Sequence, residues 1–194
     1  MTRLAAMGRW EPNARGRLER AAVELYTERG FEQTTVADIA ERAGLTKRTF
    51  FRHYADKRDV LFADADALQE LIVKAIAETP RSLPPLAAVA AGLQAAAVAI
   101  EDNHEGAQYR QAVIAANPEL QERQLAQLAA IAAAVAETLR ARGVGDQAAS
   151  LTAEVGVAAF KIAFACWISH PGSHELPRLL QGALDELKAL TAGA

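Results

Sequence analysis

Residues 35–54, TVADIAERAGLTKRTFFRHY, carry two short helical patterns on either side of a tight turn. Thr35, with Asp38 three residues on, has the form of a capping box and starts a helix over residues 35–42. The turn Ala43-Gly44-Leu45 ends it, and Thr46 caps a second helix that runs to about His53. Ala40, Ala43 and Gly44 are small where the helices cross and permit a close approach, while Val36, Ile39, Leu45 and Phe50 supply the apolar surface. Helix, three-residue turn, helix is the pattern of a helix-turn-helix.

The second helix, TKRTFFRH, is about 12 Å long at 1.5 Å per residue, which matches a DNA major groove about 12 Å wide. Lys47, Arg48, Phe51 and Arg52 share one side by spacing, and Phe50 points away from them into the bundle. Arg48 suits a bidentate contact to guanine, Phe51 a thymine methyl or a sugar, and Lys47 and Arg52 phosphates or further bases. Thr35, at a helix N-terminus, suits a phosphate. Lys57 falls in the first turn of the next expected helix, where the dipole disfavours a cation, and a nearby phosphate would account for it. His53 divides between a helix-end hydrogen bond and a phosphate contact. The bland reading of the same cations is a solvated face, the usual fate of a charge cluster.

Outward from this pair the rest of the chain keeps a helical period, with Gly and Pro between segments and no sustained strand-like alternation, so the fold class is all-α with about nine helices. Helices are expected over residues 13–29, closed by Gly30, and over 56–78, where Asp56 caps one long continuous helix. The TPRSLPP stretch, residues 79–85, is the clearest break. Further helices follow at 86–102, 107–116, 118–142, 146–169 and 175–191, with Asn117 as the cap before Pro118. Two domains result, 13–60 and 61–191.

Charge divides the same way. Residues 1–60 hold twelve Lys or Arg against nine Asp or Glu, whereas the whole chain of 194 residues is at −3. A basic small domain on an acidic larger one points to a polyanion partner for the first alone. Cys166 is the single cysteine, which excludes an intrachain disulfide, a CxxC redox pair and a zinc ribbon. The first seventeen residues carry four arginines and no apolar core, unlike a secretory signal, so a cytoplasmic setting is expected. The longest apolar stretches, 86–100 and 155–168, fall short of the roughly 18 residues of a span, and no membrane partner is expected.

The stretch RAAVELYTERGFEQTTVADIAERAGLTKRTFFRHYADKRDVLF resembles the DNA-binding domain of the tetracycline-repressor (TetR) family of transcriptional regulators. The likeness covers residues 18–62 and rests on Gly30-Phe31, Thr34-Thr35-Val36, Ile39-Ala40, Ala43-Gly44 and the run from Phe50 to Tyr54 with Lys57. It implies an all-α homodimer that binds an operator palindrome and is released by a small molecule held in the C-terminal domain. It also implies phosphate contacts at Thr35, His53 and Lys57 and base reading by Lys47, Arg48, Thr49 and Phe51; Thr46 and Arg52 are expected in the interface from the helix itself. Phe51 stands where the family often has Tyr, and Arg52 where an aromatic is common.

The C-terminal part resembles an acyl-CoA-binding subgroup through Tyr109-Arg110, Asn117-Pro118-Glu119-Leu120, Leu125, Leu128 and Trp167. The expected ligand is small and largely apolar, acyl-CoA-like by this resemblance, with Leu93, Ala97, Arg110, Ile114, Phe164 and Trp167 as lining. The 146–169 helix is apolar nearly all round, with Leu151, Val155, Ala158, Ile162 and Ser169 on one face and Phe160, Phe164 and Trp167 on another. One side suits the core and the other a twofold four-helix bundle with the last helix through Leu176, Leu179, Leu180, Leu184 and Leu187. Cys166 reads as a buried thiol; Cys166, His170 and His174 have metal-ligand spacing, but no metal and no cofactor are expected. Glu101, Asp102, His104 and Glu105 read as a solvated loop. Two other classes stand beside the regulator: a helical protein-interaction adaptor, and a small α-helical enzyme, for which no GxSxG, metal set or polar Cys/His pair supplies a nucleophile.

Overall fold

The computed structural model describes residues 13–170 and 175–192. Among the described residues the regular elements are α1 (Ala14–Arg29), α2 (Val36–Arg42), α3 (Lys47–His53), a 3-10 turn (Asp59–Phe62), α4 (Ala65–Glu78), α5 (Pro85–Glu101), α6 (His104–Ala115), α7 (Pro118–Ala141), α8 (Asp146–Ser169) and α9 (Leu176–Ala192). The chain is all-α, and it falls into two compact units that divide between Ala63 and Asp64.

In the first unit, α1 buries Leu18, Ala21, Ala22, Leu25 and Tyr26, and against them stand Phe31, Ile39, Ala40, Ala43, Phe50, Tyr54, Val60 and Leu61. The α2–α3 turn is closed by two bonds, Gly44 N–H to the Glu41 carbonyl and Leu45 N–H to the Ala40 carbonyl, both at 2.8 Å. That pair of bonds is a Schellman motif, and it requires the left-handed backbone that Gly44 adopts at φ +63°. Arg17 reaches across from α1 and donates to the Ala43 carbonyl, which ties the turn to α1. Arg42 grips α1 too, with both guanidinium nitrogens on the Glu28 carboxylate at 3.0 and 2.8 Å.

The long helix expected over residues 56–78 is two elements. Asp56 closes the turn that leads into the first of them and is not its helix cap, accepting from the N–H groups of Arg58 at 2.7 Å and Asp59 at 3.1 Å, while Asp59 accepts from Ala55 and Asp56. The turn that follows is 3-10, Ala63-Asp64 breaks it, and α4 begins at Ala65. Val60 and Leu61 belong to the core of the first unit, whereas Ile72 and Ile76 belong to that of the second. No Gly or Pro marks this break, and apolar positions continue through it at helical spacing.

In the second unit α5 lies between α4 and α8, and two glycines set the spacing. A Cβ at Gly92 would stand 2.6 Å from Ile76 Cγ1 and 2.8 Å from the Ile72 carbonyl; one at Gly156 would stand 2.5 Å from Val89 Cγ1. Val89, Leu93, Ala96, Ala97, Val135 and Leu139 fill the core between these helices. Three local readings change. The fifth inter-helix loop is shorter than expected because Asn103 caps α6 from Gly106 N–H at 3.2 Å, so α6 starts at His104 and not at residue 107. Asn117 occupies the cap position of α7 but turns its amide back to the Val113 carbonyl at 2.7 Å. Leu176, Leu180 and Leu184 of α9 are completely buried within the unit, so they are core and unavailable to a second copy.

Taken over its full length, α8 is long and apolar enough to cross a membrane, which the shorter 155–168 window had missed. Core helices share that property, and α8 packs on α5, α7 and α9.

Gly92→Ala should destabilise the chain by about 1–3 kcal/mol through overpacking. Gly182→Ala, on α9 with nothing within 4 Å of its added Cβ, should instead stabilise by up to about 1 kcal/mol as a helix-interior glycine removed. Urea unfolding of both variants beside the unsubstituted chain checks the opposite signs.

Candidate nucleic-acid interface

α3 is a seven-residue helix with both ends tied. Thr46 accepts from Thr49 N–H at 3.1 Å, and the Tyr54 N–H closes the last turn on the Phe50 carbonyl at 3.0 Å. Phe50 is fully buried and lies between the rings of Phe51 and Tyr54, each centroid 5.6 Å away. The Tyr54 hydroxyl donates to Glu19 at 2.7 Å, and burial together with that carboxylate pushes the phenol well above its usual pKa. One face of the helix is thereby committed inward.

The opposite face is solvent-facing. Thr46, Lys47, Arg48, Arg52 and His53 are exposed, Thr49 is half-buried, and Phe51 is 57% exposed. Lys47 and Arg48 make no ion pair or side-chain hydrogen bond among the described residues, and Arg52 meets only the His53 ring at 3.5 Å. The structural cations of this unit behave otherwise: Arg15 is on Glu19, Arg42 on Glu28 and Glu24, and Arg58 on Asp56. Unpaired cations around an exposed aromatic can neutralise phosphates and approach base edges.

Thr35 is exposed at the N-cap of α2, and its capping box is complete. Its hydroxyl accepts from Asp38 N–H at 3.2 Å and donates to the Asp38 carboxylate at 2.6 Å, and its own N–H donates to the same carboxylate at 2.9 Å. These bonds from Thr35 hold the Asp38 carboxyl below its usual pKa. Lys57 is not in the first turn of a helix, so the dipole conflict that suggested a phosphate is absent. Its ammonium lies against backbone carbonyls between α1 and α2. Arg17, which steadies the α2–α3 turn, had no signal in the sequence, because its carbonyl partner lies 26 residues away.

The expected ligand residues lie in the second unit. Leu93, Ala97 and Trp167 are in its buried core with Phe164 packed against it, Ile114 is buried on α6, and Arg110 is half-buried on α6. His104 is no solvated-loop residue: its ring meets Trp167 edge-on at 4.5 Å and its Nε2 lies 3.1 Å from the Trp167 carbonyl. Glu101 accepts from Leu176 N–H at 3.2 Å and so caps α9. Cys166 is exposed, a correction to the buried thiol, because its position on α8 falls with Ile162 and Ser169 on the outward stripe. His174 lies outside the described residues, and no group of three metal-ligating side chains occurs among those described.

Residues 19–63 match the family described as bacterial regulatory proteins, tetR family, and residues 83–192 match the MftR C-terminal domain. The regulator TcmR of Streptomyces glaucescens is 36% identical over 88 residues, covering 45% of this chain and 39% of TcmR. The chain therefore spans about two fifths of that relative's length. Among solved structures, SmeT, the repressor of the Stenotrophomonas maltophilia multidrug efflux pump SmeDEF, superposes with a TM-score of 0.62 at 20% identity, covering 91% of this chain and 89% of SmeT. Thermus thermophilus FadR, a repressor solved with lauroyl-CoA, gives 0.54 at 23%, covering 88% and 91%. At these identities the structural likeness is one of fold, and with the family matches over both units it leads to one conclusion: the chain belongs to the TetR family of bacterial regulatory proteins.

Proposed function

We propose that this chain is a DNA-binding transcriptional repressor that acts as a homodimer on an operator palindrome in the cytoplasm and is released by a small, largely apolar ligand. The observation that carries the reading is the outer face of α3, where Lys47 and Arg48 stand exposed, with no ion pair or side-chain hydrogen bond among the described residues, beside an exposed Phe51. An adaptor or an enzyme has no use for such a face. Arg48 reads a base, Lys47 and Arg52 take phosphates or neighbouring bases, Phe51 makes apolar contact, and Thr46, Thr49, Thr35 and His53 line the approach. The domain reading that goes with this is a reading head over residues 13–60 and a ligand-binding and dimerising part over 61–191.

A dimer is supported by α8. Leu151 and Ile162 are 59% and 61% exposed on one stripe with Ala158 and Cys166, and α9 adds Leu190 at 70% with the half-buried Leu179 and Leu187. Two copies of that surface form a twofold bundle and supply the two half-sites of a palindrome. The ligand is proposed to lie among Leu93, Ala97, Ile114, Phe164 and Trp167, with Arg110 available to an anionic group. The FadR complex with lauroyl-CoA favours an acyl-CoA, and the SmeT complex with triclosan a smaller apolar molecule. Ligand binding would favour a spacing of the two reading heads that no longer fits the operator.

Arg48→Ala should lose about 1–3 kcal/mol of operator binding with little change on a scrambled duplex, read by fluorescence anisotropy on DNA selected by the chain from a random pool. Equal binding of both duplexes by the unsubstituted chain would overturn the regulator reading. Ile162→Asp should convert the dimer to a monomer in sedimentation and abolish binding to the palindrome. Lauroyl-CoA or triclosan at about 100 times its Kd should stabilise the chain by about 2.7 kcal/mol and release the operator; stabilisation without release would sink the inducer half of the proposal.

A further inference from the structure

The outward positions of α8 repeat every seven residues. Leu151, Ala158 and Ala165 run down the middle of the outward stripe, Glu154 and Lys161 flank it on one side, and Val155 and Ile162 flank it on the other. Seven residues advance a helix by about 10.5 Å and fall about 20° short of two turns, so the members of each set stay in line. Leu151 and Ile162 are large and exposed, Glu154, Ala158, Lys161 and Ala165 are exposed too, and Val155 is half-buried. Glu154 and Lys161 make no ion pair or side-chain hydrogen bond among the described residues. The three lines share a midpoint: Glu154 and Lys161 are centred between residues 157 and 158, Leu151 and Ala165 on Ala158, and Val155 and Ile162 between 158 and 159. A twofold axis that passes α8 at Ala158 and reverses the helix direction exchanges the members of each pair and keeps each flank beside the same flank of a second copy. The Glu154 of each copy then faces the Lys161 of the other, the bulky Leu151 meets the small Ala165, and Val155 meets Ile162. Ala158, on the axis, lets the two backbones approach closely. Parallel packing, or an antiparallel slip that moves the axis to residue 154 or 161, sets like charges against each other instead.

We propose that Glu154 and Lys161 select the partner and the register on this face: in two reciprocal ion pairs they hold a second copy of the chain antiparallel, with the two α8 helices crossing at Ala158. This rests on the dimer reading above and adds to it the register and the chemistry by which one copy accepts another. Ion pairs at a wet rim contribute little affinity by themselves. Their effect is on choice, because like charges in the same places reject a wrong partner or a slipped register. The apolar line and the apolar flank supply the adhesion, and the charged flank decides what is allowed to adhere.

The test uses Glu154→Lys, Lys161→Glu and the chain carrying both exchanges, each shown folded by circular dichroism, with dimerisation read by sedimentation at low salt. Each single variant places like charges at both reciprocal positions and should dimerise about 10–100-fold more weakly. An equimolar mixture of the two single variants restores both pairs, so it should recover dimers, nearly all of them mixed, and the double exchange should recover a homodimer. High salt should shrink these differences. Single variants that dimerise as tightly as the unsubstituted chain would overturn the proposal. So would weak single variants that the mixture does not rescue, since the two residues would then lie in the interface without facing each other. If a single variant does not fold, the unsubstituted chain mixed with the double exchange decides: mixed dimers should be scarcer than the about one half that random exchange gives, and a half or more would overturn the proposal. The dimer reading fails by different results, a monomeric unsubstituted chain or a dimer that survives Ile162→Asp.

Discussion

Two helices of seven residues are each too short to persist alone in water, where about 12–15 residues are the practical minimum. α2 and α3 exist because Ile39 and Phe50 are buried completely against α1. Burial of a side chain such as Phe50 is worth roughly 1.5–3 kcal/mol. Everything exposed on α3 depends on that one inward residue. Its neighbours Phe51 and Tyr54 extend the ring contact, so the face that presents Lys47 and Arg48 is held by the face that hides Phe50.

Charge placement follows the same division of labour. The guanidinium of Arg42 is spent on α1 carboxylates, that of Arg17 on the turn, and the Lys57 ammonium on the α1–α2 link. The cations without an ion pair include Lys47 and Arg48 on α3, together with the exposed Arg20 and Arg29 on α1. A basic segment is thus two populations of cations, one building a rigid scaffold and one available to a polyanion, and composition alone does not separate them.

The boundary between legible and illegible features runs along sequence distance. The capping box of Thr35 with Asp38, the Thr46 cap, the Gly44 turn and the inward Phe50 were all readable, because each is a relation among residues a few positions apart. Breaking the 56–78 segment was not, since Leu61, Leu68, Ile72 and Ile76 keep helical spacing across it; the break reflects two cores claiming neighbouring residues. Cys166 is exposed and His104 packed against Trp167 because α8 has an outward stripe and α6 approaches its C-terminal end, both tertiary facts. The α9 leucines divided between core and surface for the same reason.

In the second unit, helix ends recruit hydrogen bonds from distant helices besides their local ones. Arg142 donates to the carbonyls of Ile76, Thr79 and Pro80 at 2.8–2.9 Å, closing the C-terminal end of α4, which has no basic residue in its last turn. Glu101 of α5 caps α9, and His104 and Gln108 of α6 reach the last carbonyls of α8. Such borrowed caps couple helix ends to one another, because a helix cannot shift without leaving buried or half-buried backbone groups unsatisfied. A ligand entering among Leu93, Ile114 and Trp167 would therefore press on α6 and α8, whose ends these bonds link to each other, and on α5, whose end is linked to α9. In this unit the same contacts that satisfy the backbone are the ones able to carry a displacement between helices.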